Sequence, residues 1–347
     1  MRAADTISVA TSAACVRTRG GVGTRRAAFT LVELLVTMVI IAILAALSLA
    51  GLAGVRQRAK ADKTRNTIRK IDAVIRPMYD SYRNRRVLDL PPPADPQTAR
   101  AVAAMQLLEA KRWLVAFEMP DRWSDVPRAA DVRRGAKGPK AVPDGFRTAA
   151  VRSYAAATAG YTTDEYRKTY GGAECLYLIL ERSGFDPDAL EFFRPDEIGD
   201  LDQDGRPEFL DGWGRPIAFL RWAPGFVSDG PLVTSNPRRY SPIQVADPVN
   251  AHDPFDPMRI DATAYALVPL IYSSGPDGAT AASEDDELGY GLADFERSSA
   301  NPPGWTDRTR NLLQLIPSSV VAGTDLVGAP VSDEALDNIT NHDLLKK

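Results

Sequence analysis

The sequence predicts an α+β fold: one long N-terminal helix that starts in lipid, followed by a soluble part of mixed helices and strands. Three observations carry this reading. Leu34–Val55 holds no charged residue and is long enough for the ~20 residues that cross a bilayer core. Ile68, Ile71, Ile75, Met78 and Tyr82 then recur at spacings of three and four, an apolar stripe down one helix face. Further on, short apolar runs bounded by turn residues read as strands.

The first helix is the most informative element. Arg17, Arg19, Arg25 and Arg26 precede the apolar run, and Arg56, Arg58, Lys60 and Lys63 follow it, so the distribution of positive charge does not decide its orientation. A secretory signal peptide is the alternative, with Ser48-Leu49-Ala50 as small residues for cleavage, but a signal core spans only about 7–15 residues. Glu33 decides against it. A carboxylate in lipid costs several kcal/mol unless paired, and a free α-amine, created by a cut just before Phe29, would be its partner on a neighbouring subunit. Past the membrane, Arg69, Lys70, Asp72, Arg76 and Asp80 lie off the apolar stripe, so this half should pack as a helix on a sheet. The run is too short for a coiled coil, which needs three or four heptads. Pro77 should kink the helix or remove one backbone bond. "LPPPADP" at 90–96 stops it and acts as a stiff spacer.

The remainder alternates. Ala103, Leu107, Ala110, Leu114 and Phe117 form a second helical stripe, and residues 119–150, rich in Pro, Gly, Arg and Asp, read as loop. Tyr166, Tyr170, Ala173, Tyr177 and Leu180 suggest a third helix, with Cys175 as a buried small apolar residue. Strands are expected at 216–222, 264–274 and 311–317, and Ser332 could cap a last short helix at 333–344.

Composition narrows the function. The chain has 347 residues, 44% apolar and 25% charged, so the oily run is a local feature of an ordinary globular protein. Cys15 and Cys175 are the only cysteines, and His252 and His342 the only histidines. That excludes a disulfide framework and argues against a His-based triad or a His-rich metal site. No G-x-S-x-G, H-E-x-x-H or P-loop is present, although an acid pair of carboxylates would be compatible with the sequence.

"RRAAFTLVELLVTMVIIAIL" resembles the leader and N-terminal helix of type IV pilins and type II secretion pseudopilins. The resemblance covers residues 25–55. It implies a leader at 1–28, cut by a prepilin peptidase on the cytoplasmic side between Ala28 and Phe29, and N-methylation of Phe29. The family usually has Gly before the cut, and here the small residue is Ala28. Glu33 falls at the fifth mature position, the family's hallmark carboxylate. The implied organisation is a transmembrane helix at 29–55, its soluble half at 56–89, the spacer at 90–96, and a pilin-like α+β domain at 97–347 with helix packed on an antiparallel sheet. Removing the leader takes away five arginines and one aspartate, so the mature chain is more acidic than the formal −3 of the whole. That balance does not favour nucleic acid, and the basic residues at 56–63 would meet lipid headgroups.

Two acidic stretches are candidate calcium loops. In "DLDQDGRPEFLD", Asp200, Asp202 and Asp204 stand two apart before Gly205, with Glu208 and Asp211 at the ninth and twelfth positions. Such spacing supplies hard oxygen ligands around a tight turn, with Asp in place of the usual final Glu. A helix is expected to enter through "LEFFRPDE" and a strand to leave through "WGRPIAFLRW". The alternative is a solvated acidic turn. The second stretch is "SSGPDGATAASEDDELGYG" at 273–291. Together with "DGWGRPIAF" it resembles the C-terminal half of G-type major pseudopilins, where a W-G-x-P strand pair precedes a calcium-binding S-x-G-x-D-G loop. Asp277, Asp285 and Asp286 match its acidic positions loosely, and a plain acidic surface loop is the alternative. The mature chain is far longer than a major pseudopilin.

The reading that follows is a structural subunit, not an enzyme. It would be a single-pass inner-membrane protein with its globular domain in the periplasm, assembling with other pilin-like subunits and the secretion or pilus machinery. Small residues Ala45, Ala46, Gly51 and Gly54 would allow close helix packing. A pseudopilin of type II secretion is expected. An adhesive or DNA-uptake minor pilin shares the same anchor, and a membrane-tethered enzyme is the third class.

Overall fold

The computed structural model describes residues 30–87, 99–136, 141–160, 170–222, 253–260, 269–276, 338–342 and 344. The chain divides into two units, Met1–Ala53 and Gly54–Lys347, and helix α1, Leu31–Ser81, has residues in each. In the first unit its side chains from Leu31 to Leu49 are all exposed. The polar groups there are turned back on the helix. The Glu33 amide donates to Thr30 Oγ1 at 3.2 Å, and the Thr37 and Ser48 hydroxyls donate to the carbonyls of Leu34 and Leu44, both at 2.8 Å. Satisfying hydroxyls internally is what an apolar surrounding demands.

The second unit is built on the remainder of α1. Ile68, Ile71, Ile75, Met78 and Tyr82 are each at most 2% exposed, so the stripe read from spacing is the core face. Helices α2 (Ala99–Glu118), α3 (Ala149–Ala157) and α4 (Gly171–Arg182) follow. Strands β1 (Ile198–Gly199) and β2 (Glu208–Phe209) pair antiparallel. Strands β3 (Ala218–Leu220), β4 (Leu270–Ser273) and β5 (Ile339–Thr340) form an antiparallel sheet in the order β3-β4-β5, with Phe219 opposite Ile271 and Tyr272 opposite Thr340. One apolar cluster joins Ile71 and Ile75 of α1, Leu114 and Val115 of α2, Leu176 and Ile179 of α4, and Phe209, Phe219, Ile271 and Ile339 of the strands. The layout is α+β and pilin-like, a long apolar N-terminal helix with small antiparallel sheets.

Polar contacts fix α1 to the rest of its unit. Glu197, 1% exposed, accepts from Lys70 Nζ at 2.9 and 2.7 Å, from Thr67 Oγ1 at 3.0 Å and from the Arg194 amide at 2.7 Å. The Gly212 amide donates to Thr64 Oγ1 at 2.9 Å. A Cβ at Gly212 would stand 2.1 Å from the Lys60 carbonyl oxygen, so backbone meets backbone there and only glycine fits. At the far end, Asn341 Nδ2 donates to Asp72 Oδ1 at 2.8 Å and to the Pro269 carbonyl at 3.0 Å.

Several expectations are corrected. Residues 339–340 are strand β5, not part of a last helix over 333–344. Asn341 exchanges bonds with Ile271, its amide to the Ile271 carbonyl at 2.9 Å and its Oδ1 from the Ile271 amide at 3.0 Å, and this tertiary pairing overrides local propensity. Of the expected third helix, Tyr166 lies outside the described residues, and α4 starts at Gly171 after Tyr170, whose left-handed φ of 70° does not continue a helix. The stripe of α2 enters the core from Leu108 onward, while Ala103 and Leu107 are exposed. Residues 119–150 contain short 3-10 turns at Trp123–Asp125 and Asp144–Phe146, and α3 starts at Ala149. The spacer at 90–96, the strand at 311–317 and Ser332 lie outside the described residues.

Candidate functional site

The acidic stretch 200–211 is not preceded by a full helix. Short 3-10 turns at Ala189–Phe192 and Pro195–Glu197 lead into β1, so residues 200–207 form the tip of the β1–β2 hairpin. Gly205 sits at φ 89°, where a side chain would be strained. Asp200 ties the turn together, its Oδ1 accepting from the Asp204 amide at 3.1 Å and its Oδ2 from the Gly205 amide at 2.9 Å. The carboxylates of Asp200, Asp202 and Glu208 have oxygens within 4.8 Å of one another, and so do those of Asp202, Asp204 and Glu174.

Glu174 of α4 was not singled out by the sequence. It is a lone acid in the apolar stretch Ala173–Leu180, 2% exposed, and that isolation is the signal that could have found it. The Trp123 indole donates to its Oε2, and Arg206 Nη1 lies 3.4 Å from the same atom. Arg206 also stacks on the Trp123 ring, 4.4 Å from its centroid, and pairs with Asp204 at 3.4 Å. Burial pushes the Glu174 carboxyl up to about 8, the Trp123 bond opposes this, and the Asp204 charge adds to it. Burial likewise raises Glu208 to about 7, against the Leu201 amide bond and with the charges of Asp202, Asp200 and Asp204. In both cases burial disfavours the anionic form of the carboxyl.

Asp211, expected as the twelfth-position ligand, turns elsewhere. Its Oδ1 accepts from the amides of Trp213 and Arg215 at 2.7 and 2.9 Å, and its Oδ2 from Ser273 Oγ at 2.7 Å. Spacing sets the backbone distance from Asp200 but not the direction of the side chain. Arg215 Nη1 donates to the Gly275 carbonyl at 2.7 Å, so the "DGWGRP" turn is joined to the "SSG" segment by two side chains. Asp277, Asp285 and Asp286 lie outside the described residues.

In the first unit, Glu33 lies in the first turn of α1 and is the one charge among the exposed apolar side chains of Leu31–Leu49. The helix is long and apolar enough to cross a membrane. A protein-family model for the prokaryotic N-terminal methylation motif matches residues 23–49. The chain carries a prepilin-type methylation motif. With the long apolar helix that it opens, the motif fits the type IV pilin and pseudopilin family and points to a membrane-anchored, structural pilin-type subunit. It implies processing by a prepilin peptidase and assembly with other pilin-like subunits. Searches of curated proteins and of solved structures each return no match. Within the motif, Glu33 is placed by the structure, while Ala28 and Phe29 lie outside the described residues.

Proposed function

We propose that this prepilin is a pseudopilin of type II secretion. It is cleaved between Ala28 and Phe29, methylated on the Phe29 amine, held as a single-pass protein with its globular part in the periplasm, and drawn into a short helical filament. The observation that carries the prepilin reading is the methylation motif with its lone carboxylate, Glu33, in the otherwise uncharged, exposed stretch Leu31–Leu49 of α1. In the filament the Glu33 carboxylate pairs with the Phe29 amine of the adjacent subunit, which removes the cost of a solitary charge in lipid. Ala45, Ala46, Gly51 and Gly54 permit close approach of neighbouring helices.

The choice of a secretion pseudopilin over an adhesive or DNA-uptake pilin is supported by Asp211 and Arg215. They join the two stretches in which the chain resembles G-type pseudopilins, through Ser273 and the Gly275 carbonyl. N-terminal mass spectrometry of membrane-extracted protein tests processing, and a methylated Phe29 is expected. A start near Gly51, or a soluble secreted form, would overturn the prepilin reading. Co-purification with a secretion ATPase and outer-membrane channel is expected. Recovery with a retractable surface pilus instead would favour the minor-pilin alternative.

A further inference from the structure

The tip of the β1–β2 hairpin gathers carboxylates beside a buried carboxylate oxygen that has no hydrogen-bond partner. Glu208 is fully buried, yet only its Oε2 is hydrogen-bonded, accepting from the Leu201 amide at 3.2 Å, and its Oε1 has no hydrogen-bond partner. Its carboxylate is grouped with those of Asp200 and Asp202, all with oxygens within 4.8 Å of one another. Glu174 repeats the pattern on the α4 side. It is 2% exposed, its Oε1 lacks a hydrogen-bond partner, and its carboxylate is grouped with those of Asp202 and Asp204. A buried anionic oxygen without a partner is costly, and crowded carboxylates raise that cost further. On the α4 side Arg206 supplies a counter-charge to Glu174 and Asp204. In the group of Asp200, Asp202 and Glu208, the unpartnered Oε1 of Glu208 is the oxygen that a metal would complete.

We propose that this hairpin tip binds a calcium ion through Asp200, Asp202 and Glu208, with Glu208 contributing the buried oxygen. The donors are all carboxylate oxygens, which select a hard cation. Calcium accepts six to eight oxygens in irregular arrangements, whereas magnesium requires a near-ideal octahedron. Two donors on the turn and a third, buried, at the first residue of β2 suit the former. The spacing also puts the Arg206 carbonyl at the seventh position, where such loops offer a backbone oxygen. Asp211 takes no part, because Trp213, Arg215 and Ser273 occupy it. The ion would tie β1 to β2 and, through Asp202, border the Glu174 group of α4.

The test uses the full chain in detergent, stripped with a chelator and titrated with calcium alone or magnesium alone. Binding is read by equilibrium dialysis, and folding by circular dichroism. One calcium per chain is expected, with magnesium binding at least about tenfold weaker. Glu208→Gln keeps an oxygen for the Leu201 amide, and Asp202→Asn alters a residue on the turn itself. Each should weaken calcium binding by about 10–100-fold or more while the far-ultraviolet spectrum is unchanged. Asp285→Ala with Asp286→Ala should leave this stoichiometry unaltered. The inference is overturned if the unmutated chain binds no calcium or if magnesium binds as tightly. It is equally overturned if both hairpin variants keep full affinity, or if the Asp285 and Asp286 pair abolishes binding instead.

Discussion

Replacing Glu197 with alanine removes the clasp that holds the 194–197 turn on α1. The carboxylate accepts from Lys70, Thr67 and the Arg194 amide, and it is 1% exposed. Hydrogen bonds to a charged group contribute about 1.5–3 kcal/mol each, but the partners left behind are not all stranded. Lys70 is 31% exposed in its side chain and can turn to water, and Thr67 already donates to the Lys63 carbonyl at 3.2 Å. The expected net loss is therefore about 2–3 kcal/mol, near the low end for breaking a buried pair. For a domain of this size that lowers the melting temperature by roughly 4–12 °C. The pH dependence gives a second check. Burial would raise the Glu197 carboxyl, but the Arg194 amide, Lys70 and Thr67 outweigh it and hold it below its ordinary 4.5. A depressed carboxyl stabilises the fold above the unfolded value and loses that contribution as pH falls through the folded one. The gap between the unmutated chain and Glu197→Ala should thus be full at pH 7 and shrink on acidification below about 4.5. Thermal unfolding of the full chain in detergent, followed by tryptophan fluorescence across pH 3–8, measures it, and a cycle with Lys70→Met isolates the pair. A loss under about 0.5 kcal/mol, or a gap independent of pH, would refute the reasoning.

The other expectations are briefer. Glu33→Leu should insert in the membrane normally but fail to join filaments of unmutated subunits; normal incorporation in a pull-down of tagged filaments would remove the pairing with the neighbour's amine. Gly212→Ala forces a Cβ to within 2.1 Å of the Lys60 carbonyl oxygen and should cost about 3 kcal/mol by denaturant unfolding; a stability change near zero would contradict the close approach. In chelator, the raised Glu174 carboxyl makes the folded state keep a proton that the unfolded chain releases, so stability should fall as pH rises from 4.5 to about 8. Glu174→Gln should flatten that slope in urea titrations, and an unchanged slope would place the titration elsewhere.

What the sequence disclosed depended on whether the signal was local. The core face of α1 was legible because Ile68, Ile71, Ile75, Met78 and Tyr82 repeat with the helix period. Glu33 was legible because a charge inside an apolar run has no neutral interpretation. The cluster of Asp200, Asp202 and Glu208 was legible from a turn that closes on itself. Glu174 was not, because it reaches Asp202 and Asp204 only when α4 packs beside the hairpin. Asp211 carried the right spacing and a different set of partners. The buried Arg221 also escaped notice. Its guanidinium reaches the Met119 carbonyl at 2.8 Å and Asp125 at 3.0 Å, across residues on separate elements. Strand β5 is two residues long, and no periodicity can register in so short a segment.

The bond from Asn341 to Asp72 has a temporal side. It joins residues 269 positions apart, and β5 completes the sheet from the same end of the sequence. Chain growth proceeds at about 5–20 residues per second, so the α1 face that Asn341 meets waits roughly 15–50 s after its own synthesis for that partner. During that interval Ile71 and Ile75 face an unfinished sheet, and β4 offers an unpaired edge of the kind that invites wrong partners. A ribosome stalled before residue 338 would display that incomplete intermediate, and holding chaperones would be expected to bind it until β5 arrives.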